Sequence, residues 1–265
     1  MPLYQIVVLA IVQGITEFLP ISSSGHLVLT SRLAGWPDQG LTIDIAVHAG
    51  TLLAVIAYFH TDVWRLTAGS ARLLTGRITP DGRLAILVTI ATLPIVVAGL
   101  LLESYVATLL RNVELIAWTT IGFGLLLGLI DRISMTLQRT EHLSFMNAIF
   151  IGFAQVLALL PGTSRSGITI TAGRYLGMER REAARFSMLL SIPTILGAAT
   201  LAGIDLYESG NVALGYDAAI AAGIAFVTAL IAIGALMRWL QRASYWPFVI
   251  YRLALGGYLL YWIYA

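Results

Sequence analysis

A chain of 265 residues that is 58% hydrophobic and only 11% charged, with strongly positive mean hydropathy, cannot be an ordinary soluble domain; the composition predicts a polytopic membrane protein. With no cysteine there is no disulfide, no thiol chemistry and no cysteine-ligated metal. The formal charge of +2 is too small to suggest a nucleic-acid partner, and because all sixteen basic side chains are Arg, it is their placement in loops that is informative.

The first apolar segment, 3–19, breaks at Pro20 and resumes as a short mixed segment, 27–34. Across the break runs Gln13-Gly-Ile-Thr-Glu17-Phe-Leu-Pro20-Ile-Ser22-Ser23-Ser24-Gly25-His26. Gln13 and Glu17 are four apart and share one helix face. Pro20 pushes Ile21 out of the α region and ends the helix. The three serines and Gly25 can turn backbone N–H groups outward as an anion cradle, and His26 can take or give a proton near neutral pH. Polar groups at membrane depth are expensive and usually mark function. A signal peptide would need a basic start, but the first Arg is Arg32. A plain helix cap accounts for the serines and glycine, though not for Glu17 and His26 together.

Spanning segments follow at 42–59, 84–102 and 115–131, the first opening with Asp44 and His48 at i, i+4, which could support a site or merely cap the helix. A second broken segment, 143–160, stops at Pro161-Gly-Thr163-Ser164-Arg165-Ser166-Gly167 and resumes as 168–177. Three more spans are expected at 184–204, 216–238 and 246–264. Trp36, Trp64, Tyr105, Tyr245, Trp246 and Tyr264 read as interface anchors. Arg252 in the last span is open to three readings: facing a site, snorkelling, or pairing with a carboxylate. The two broken segments suit helix–break–helix hairpins that dip into the membrane, tolerated where they are buried in protein or line a cavity.

The loops 60–83, 132–142, 174–185 and 238–245 carry the Arg excess and are expected in the cytoplasm. The loops 36–41, 103–114 and 205–217 are expected outside, with both termini. At an offset of 142 residues, Gln13 falls on Gln155, Ser24 on Ser166, Gly25 on Gly167, Arg32 on Arg174 and Gly35 on Gly177. Repeat and topology together predict one all-α membrane domain, 1–265, made of two inverted-topology repeats. Each is a re-entrant helix hairpin plus three transmembrane helices: repeat one is 1–142 with hairpin 3–33, repeat two 143–265 with hairpin 145–175. Such folds place their site where the broken helices meet. Glu17 has Leu159 at its offset, and Arg165 stands in the second copy instead, so one copy reads as acid–base or nucleophilic and the other as anion-holding. A plain Glu17–Arg165 salt bridge is the bland alternative, and ligand arrival could replace it.

The motifs at 13–26 and 161–167, with Asp44–Gly50 and the closing Pro247–Arg252, resemble those of bacterial undecaprenyl-diphosphatases of the bacitracin-resistance type. The resemblance covers essentially the whole chain. It implies an inner-membrane phosphatase that removes the terminal phosphate of undecaprenyl diphosphate and regenerates the carrier for cell-wall precursors. It also implies a site open to the outer, periplasmic face, a divalent cation (Mg²⁺ or Ca²⁺) and homodimers. Its functional residues fall on Glu17, Ser23, His26, Ser164 and Arg165. Many members have Glu where this chain has Gln13, so a cation held by Glu17 and Gln13 would lose one charge. The expected mechanism has Arg165 and the groups of Ser22, Ser24, Gly25, Thr163, Ser164, Ser166 and Gly167 bind phosphate. Ser23 attacks or orients water, and His26 acts as general base or acid, oriented by Glu17 unless that carboxylate holds the cation. The rival from another class is a transporter or flippase of a polyprenyl phosphate or other anion, built on the same inverted architecture.

Overall fold

The computed structural model describes residues 1–37, 40–109, 112–209 and 212–265, without the side chains of 41, 103–109, 198–199, 201–209 and 212–214. The helices are α1 Leu3–Thr16, α2 Ser23–Leu33, α3 Gly40–Tyr58, α4 His60–Leu73, α5 Pro80–Leu109 and α6 Val113–Ile133. They continue with α7 Phe145–Val156, α8 Arg165–Tyr175, α9 Arg180–Ser209, α10 Val212–Trp239 and α11 Trp246–Tyr264. Among the described residues there is no strand, only an isolated bridge between Gln138 and Met178.

Three stretches are individually long and apolar enough to cross a membrane: Pro80–Leu102, Val113–Ile133 and Gly215–Trp239. A fourth arises if Thr42–Tyr58 and His60–Leu73, bent by 87° at their junction, count together. Six spans were expected. The segment 246–264 forms the 19-residue α11, yet its two Trp, four Tyr and Arg252 lower its hydropathy. The segment 184–204 forms most of α9, part of which carries side chains outside those described. The region 60–83, read as a loop, is largely α4, an amphipathic helix whose arginines masked its apolar face. The expected outer connections 36–41, 103–114 and 205–217 lie partly outside the described residues.

Both short helices break as the prolines dictate. After α1 the chain turns through Pro20 and re-enters helix at Ser22, with φ at 73°. After α7 it passes a 3-10 turn, Pro161 and Gly162, and re-enters at Ser164, with φ at 71°. These are the only non-glycine residues with positive φ among those described. Such a conformation costs on the order of 1–3 kcal/mol and persists only where its surroundings fix it. Ser164 recovers part of this as an N-cap, its Oγ accepting from Gly167 N at 3.1 Å.

Glycines let the helices approach. α3 packs along α10 with Gly50 against the Ala222 backbone, α1 lies on α10 at Gly14, α7 lies on α5 at Gly152, and α6 meets α11 at Gly124, Gly128 and Gly256. Small residues serve this purpose where dispersion and backbone approach must replace the hydrophobic effect. A methyl group at Gly50 would overlap the Ala222 carbonyl. Gly50→Ala is therefore expected to cost about 1–3 kcal/mol by overpacking, read as a lowered unfolding temperature in detergent.

The arginine-rich end is tied by ion pairs. Arg174 and Arg180 share Asp131 Oδ1 at 3.1 and 2.8 Å, and Asp131 Oδ2 accepts from Tyr245 N at 3.3 Å. Arg185 joins Asp62 of α4 to Glu182. Arg174 and Arg180, expected merely to mark a cytoplasmic loop, thus also hold α6, α8, α9 and α11 in register.

Candidate active site

The two breaks face each other across a cavity of about 320 Å³. Its polar wall is Glu17, Ser22, Ser23, Ser24, Asp44, His48, Ser164 and Arg165, and its apolar wall is Ile45, Ile95, Ala158 and Ile195, with Thr194 beside them. Glu17 is placed by the last turn of α1, where its N–H bonds to Gln13 O at 2.9 Å, and it is almost fully buried. Each carboxylate oxygen has its own partners. Oε1 receives Arg165 Nη2 at 3.1 Å. Oε2 accepts from Ser23 Oγ at 2.6 Å and Gln13 Nε2 at 2.8 Å, and His48 Nε2 stands 3.5 Å away.

Arg165 opens α8 and is steadied from behind, its Nη1 donating to Ser187 O at 3.2 Å while the Ser187 hydroxyl bonds Thr169 at 2.7 Å. The Glu17–Arg165 salt bridge weighed above as the bland alternative is therefore present. A buried carboxylate and guanidinium neutralise each other at rest, and a phosphate-bearing anion can compete for the guanidinium because bidentate Arg–phosphate pairing matches its geometry. Ser23 begins α2, so its hydroxyl sits beside the unpaired N–H groups of a helix N-terminus, where an anion is favoured. The arrangement places a hydroxyl and a guanidinium within hydrogen-bond reach of the two oxygens of one carboxylate.

Several expected residues lie elsewhere. His26 is three residues along α2 from Ser23 and is not part of the cavity wall. Its Nδ1 bonds Ser22 O at 2.7 Å, its Nε2 bonds Tyr251 Oη at 2.6 Å, and its ring stacks on Tyr251. Glu17 does not orient it; the imidazole beside Glu17 belongs to His48, whose Nδ1 bonds Asp44 O at 2.5 Å. Ser166 is buried and donates to Leu19 O at 3.0 Å, a tie between the two breaks rather than a ligand group. Thr163 is fully buried away from the cavity, and Gly25 and Gly167 are internal, Gly167 making room for Arg252. Of the expected binders, Ser22, Ser24 and Ser164 do line the cavity.

Arg252 fits none of its three readings. Fully buried, it spends its guanidinium on carbonyls: Nε on Thr120 O at 3.0 Å, Nη1 on Pro20 O at 3.2 Å, and Nη2 on Gly162 O and Thr163 O at 3.0 Å each. It thereby clamps both breaks to α6. No sequence signal announced carbonyl partners. Asp44 and His48 were visible through their spacing, whereas Ile95 and Ile195 carry no signal that separates them from other apolar residues of α5 and α9.

Among the described residues no three His, Asp or Glu side chains cluster as a ready-made metal site. The donor set still suits a hard cation shared with a substrate. Glu17 and Asp44 bring carboxylates to one cavity, and Gln13 Oε1 is fully buried with no hydrogen-bond partner. Mg²⁺ is commonly held by one or two carboxylates plus substrate phosphates.

The sequence matches the family described as "Bacitracin resistance protein BacA" over residues 6–258. Undecaprenyl-diphosphatase 1 of Rhodospirillum rubrum is 52% identical, with 98% of this chain and 95% of that protein covered. The undecaprenyl-diphosphatases of Roseobacter denitrificans and Alteromonas mediterranea are 46% and 48% identical, each covered completely along with this chain.

Proposed function

This chain belongs to the BacA bacitracin resistance protein family, and from that premise we infer that it is an undecaprenyl-diphosphate phosphatase. It hydrolyses undecaprenyl diphosphate to undecaprenyl phosphate and inorganic phosphate, recycling the lipid carrier for cell-wall synthesis. The observation that carries the mechanism is the Ser23 hydroxyl on Glu17 Oε2 at 2.6 Å, with Arg165 on the other oxygen of the same carboxylate.

In this reading the diphosphate enters the cavity and draws Arg165 from Glu17 onto its oxygens. Arg165, with the N–H groups at the starts of α2 and α8, stabilises charge on the equatorial oxygens, the main task in phosphoryl transfer. Ser23 then attacks the terminal phosphorus as its proton passes to Glu17 Oε2, the anhydride bond breaks to release undecaprenyl phosphate, and water hydrolyses the resulting phosphoserine to inorganic phosphate. Alternatively Ser23 orients a water that attacks directly, its proton passing to Glu17 Oε2 while the same anhydride bond breaks and both products form in one step. Ser22, Ser24 and Ser164 supply further donors from the cavity wall. His26 becomes a positioning residue that fixes the start of α2 through Ser22 and Tyr251. A divalent cation, Mg²⁺ or Ca²⁺, would be held by Glu17 and Asp44 with Gln13, and when bound it offsets charge on the diphosphate oxygens.

The membrane arrangement completes the reading. One domain, 1–265, is built of inverted repeats 1–142 and 143–265 with re-entrant hairpins 3–33 and 145–175. Both termini and the mouth of the site are on the outer face of the bacterial inner membrane. The support is the Arg-rich loops, the 142-residue offset and the matching conformations of Ser22 and Ser164. The homodimer implied by the family resemblance belongs to this reading and is tested by mass measurement in detergent. A flippase would need the Arg and the hydroxyls but not a serine bonded to a buried carboxylate, which favours the enzyme.

The test is phosphate release from undecaprenyl diphosphate by purified protein in detergent, with Mg²⁺, Ca²⁺ or a chelator, beside Ser23→Ala. Release by the wild type should fall at least ~100-fold in the variant and fall on chelation. No release under any cation would overturn the phosphatase and direct attention to lipid movement in sealed vesicles.

A further inference from the structure

Two of the stretches long enough to cross a membrane stop beside one cavity. α6 ends at Ile133 and α10 at Trp239, and the chain just past both ends, Thr136 and Leu240–Ala243, lines a recess of about 350 Å³. Its remaining wall is Glu179, Arg180 and Arg181, where α9 begins. Two spans that end on the same recess put it at the depth of the lipid headgroups. Trp239 and Trp246, both exposed, flank the turn between α10 and α11, as aromatic residues do at that depth.

The charge there is unbalanced. Arg180 pairs with Asp131, whose one charge also answers Arg174, and Glu179 is matched by Arg139 at 3.1 Å. Arg181 and Arg242, both exposed, have no carboxylate partner among the described residues. Nor are they needed to cap a helix. The carbonyls at the end of α10 are closed by the turn itself: Gln241 N donates to Arg238 O at 3.2 Å, and Arg242 N and Ala243 N donate to Trp239 O at 3.2 and 3.0 Å. Arginine on this side of the membrane helps to orient the chain, but orientation does not require a recess between the ends of three helices.

We propose that this recess binds the headgroup of an anionic phospholipid, its phosphate held by Arg181 and Arg242 while its acyl chains enter the bilayer past Trp239 and Trp246. The inference does not rest on the phosphatase reading. A guanidinium pairs with phosphate through two parallel hydrogen bonds, and basic pockets between membrane helices suit such headgroups. Depth decides for a lipid over a soluble anion, because the recess begins at the residue after a span and Leu240 forms part of its wall. A bound phosphate offsets the excess charge around Asp131 and ties the turn before α11 to the start of α9.

The test is native mass spectrometry of the full chain in neutral detergent with phosphatidylglycerol or phosphatidylcholine. The wild type is compared with Arg181→Gln/Arg242→Gln and with Arg72→Gln/Arg77→Gln, which removes the same charge from exposed arginines of α4 and the turn after it. The wild type should bind phosphatidylglycerol at least about tenfold more tightly than phosphatidylcholine. The 181/242 variant should lose that preference and the 72/77 variant should keep it. Phosphatidylglycerol should likewise raise the unfolding temperature of the wild type and the 72/77 variant, but not of the 181/242 variant. A wild type without preference, or equal loss in both variants, would overturn the site. Displacement of the lipid by excess inorganic phosphate would make the recess a soluble-anion site and overturn the lipid assignment. If the 181/242 variant does not fold, Arg242→Gln alone, in the turn beyond α10, decides: reduced preference supports the site and undiminished preference refutes it.

Discussion

Glu17→Gln should lower kcat on undecaprenyl diphosphate by at least ~100-fold while leaving KM unchanged or lower. The Ser23 hydroxyl lies 2.6 Å from Glu17 Oε2, and a neutral amide cannot take its proton. Loss of a positioned base is typically a factor of 10²–10⁴. The direction in KM follows from the other oxygen. Arg165 is held at 3.1 Å in the resting pair, so removing the charge of residue 17 frees the guanidinium for phosphate and removes a competitor of the substrate. Steady-state kinetics with both parameters resolved would check this. A kcat within threefold of wild type would remove Glu17 as the proton acceptor, and a large rise in KM would show that its hold on the cation outweighs its competition for Arg165.

Arg252→Leu should destabilise the folded protein by about 3–5 kcal/mol, the range seen when one partner of a buried charged network is removed. The side chain is fully buried, and its nitrogens satisfy carbonyls at Pro20, Thr120, Gly162 and Thr163. Leucine would leave these acceptors without donors, each costing about 1–3 kcal/mol where water does not replace the bond. Arg252→Lys keeps the charge but not the planar fork, so it should recover only part of the loss. Thermal unfolding in detergent, with activity measured on the surviving folded fraction, separates the cases. Normal stability with lost turnover would make Arg252 a substrate contact and refute the clamp.

The breaks were legible because their cause is local: Pro20 and Pro161 cannot continue a helix, and serine and glycine suit its restart. The meeting of Glu17 with Arg165 was legible through the repeat, since the two motifs occupy equivalent places in the chain. What a side chain faces was less so. His26 and His48 are both imidazoles near hydroxyls or carboxylates in sequence, and only the rotation of α2 about its axis turns one toward Tyr251 while α3 brings the other to Glu17. The carbonyl partners of the Ser166 hydroxyl and the Arg252 guanidinium were not legible, for a common reason. Backbone carbonyls exposed at a break accept hydrogen bonds as strongly as a ligand would, but they have no signature in a sequence. α4 was hidden because two arginines, an aspartate and several hydroxyls interrupt its apolar residues while its buried face is narrow.

The clamp also bears on the order in which the molecule is made. Arg252 reaches Pro20 across 232 residues and the second break across about 90, so neither turn can be sealed early in synthesis. The N-terminal helices are made while the Pro20 carbonyl still lacks its final donor, and contacts so distant in sequence form late because loop closure must precede them. On the proposed mechanism, turnover is expected only once α11 is made and one guanidinium ties both breaks together. A nascent chain that carries Glu17, Ser23 and Arg165 without that tie is expected to have no turnover to offer at the membrane.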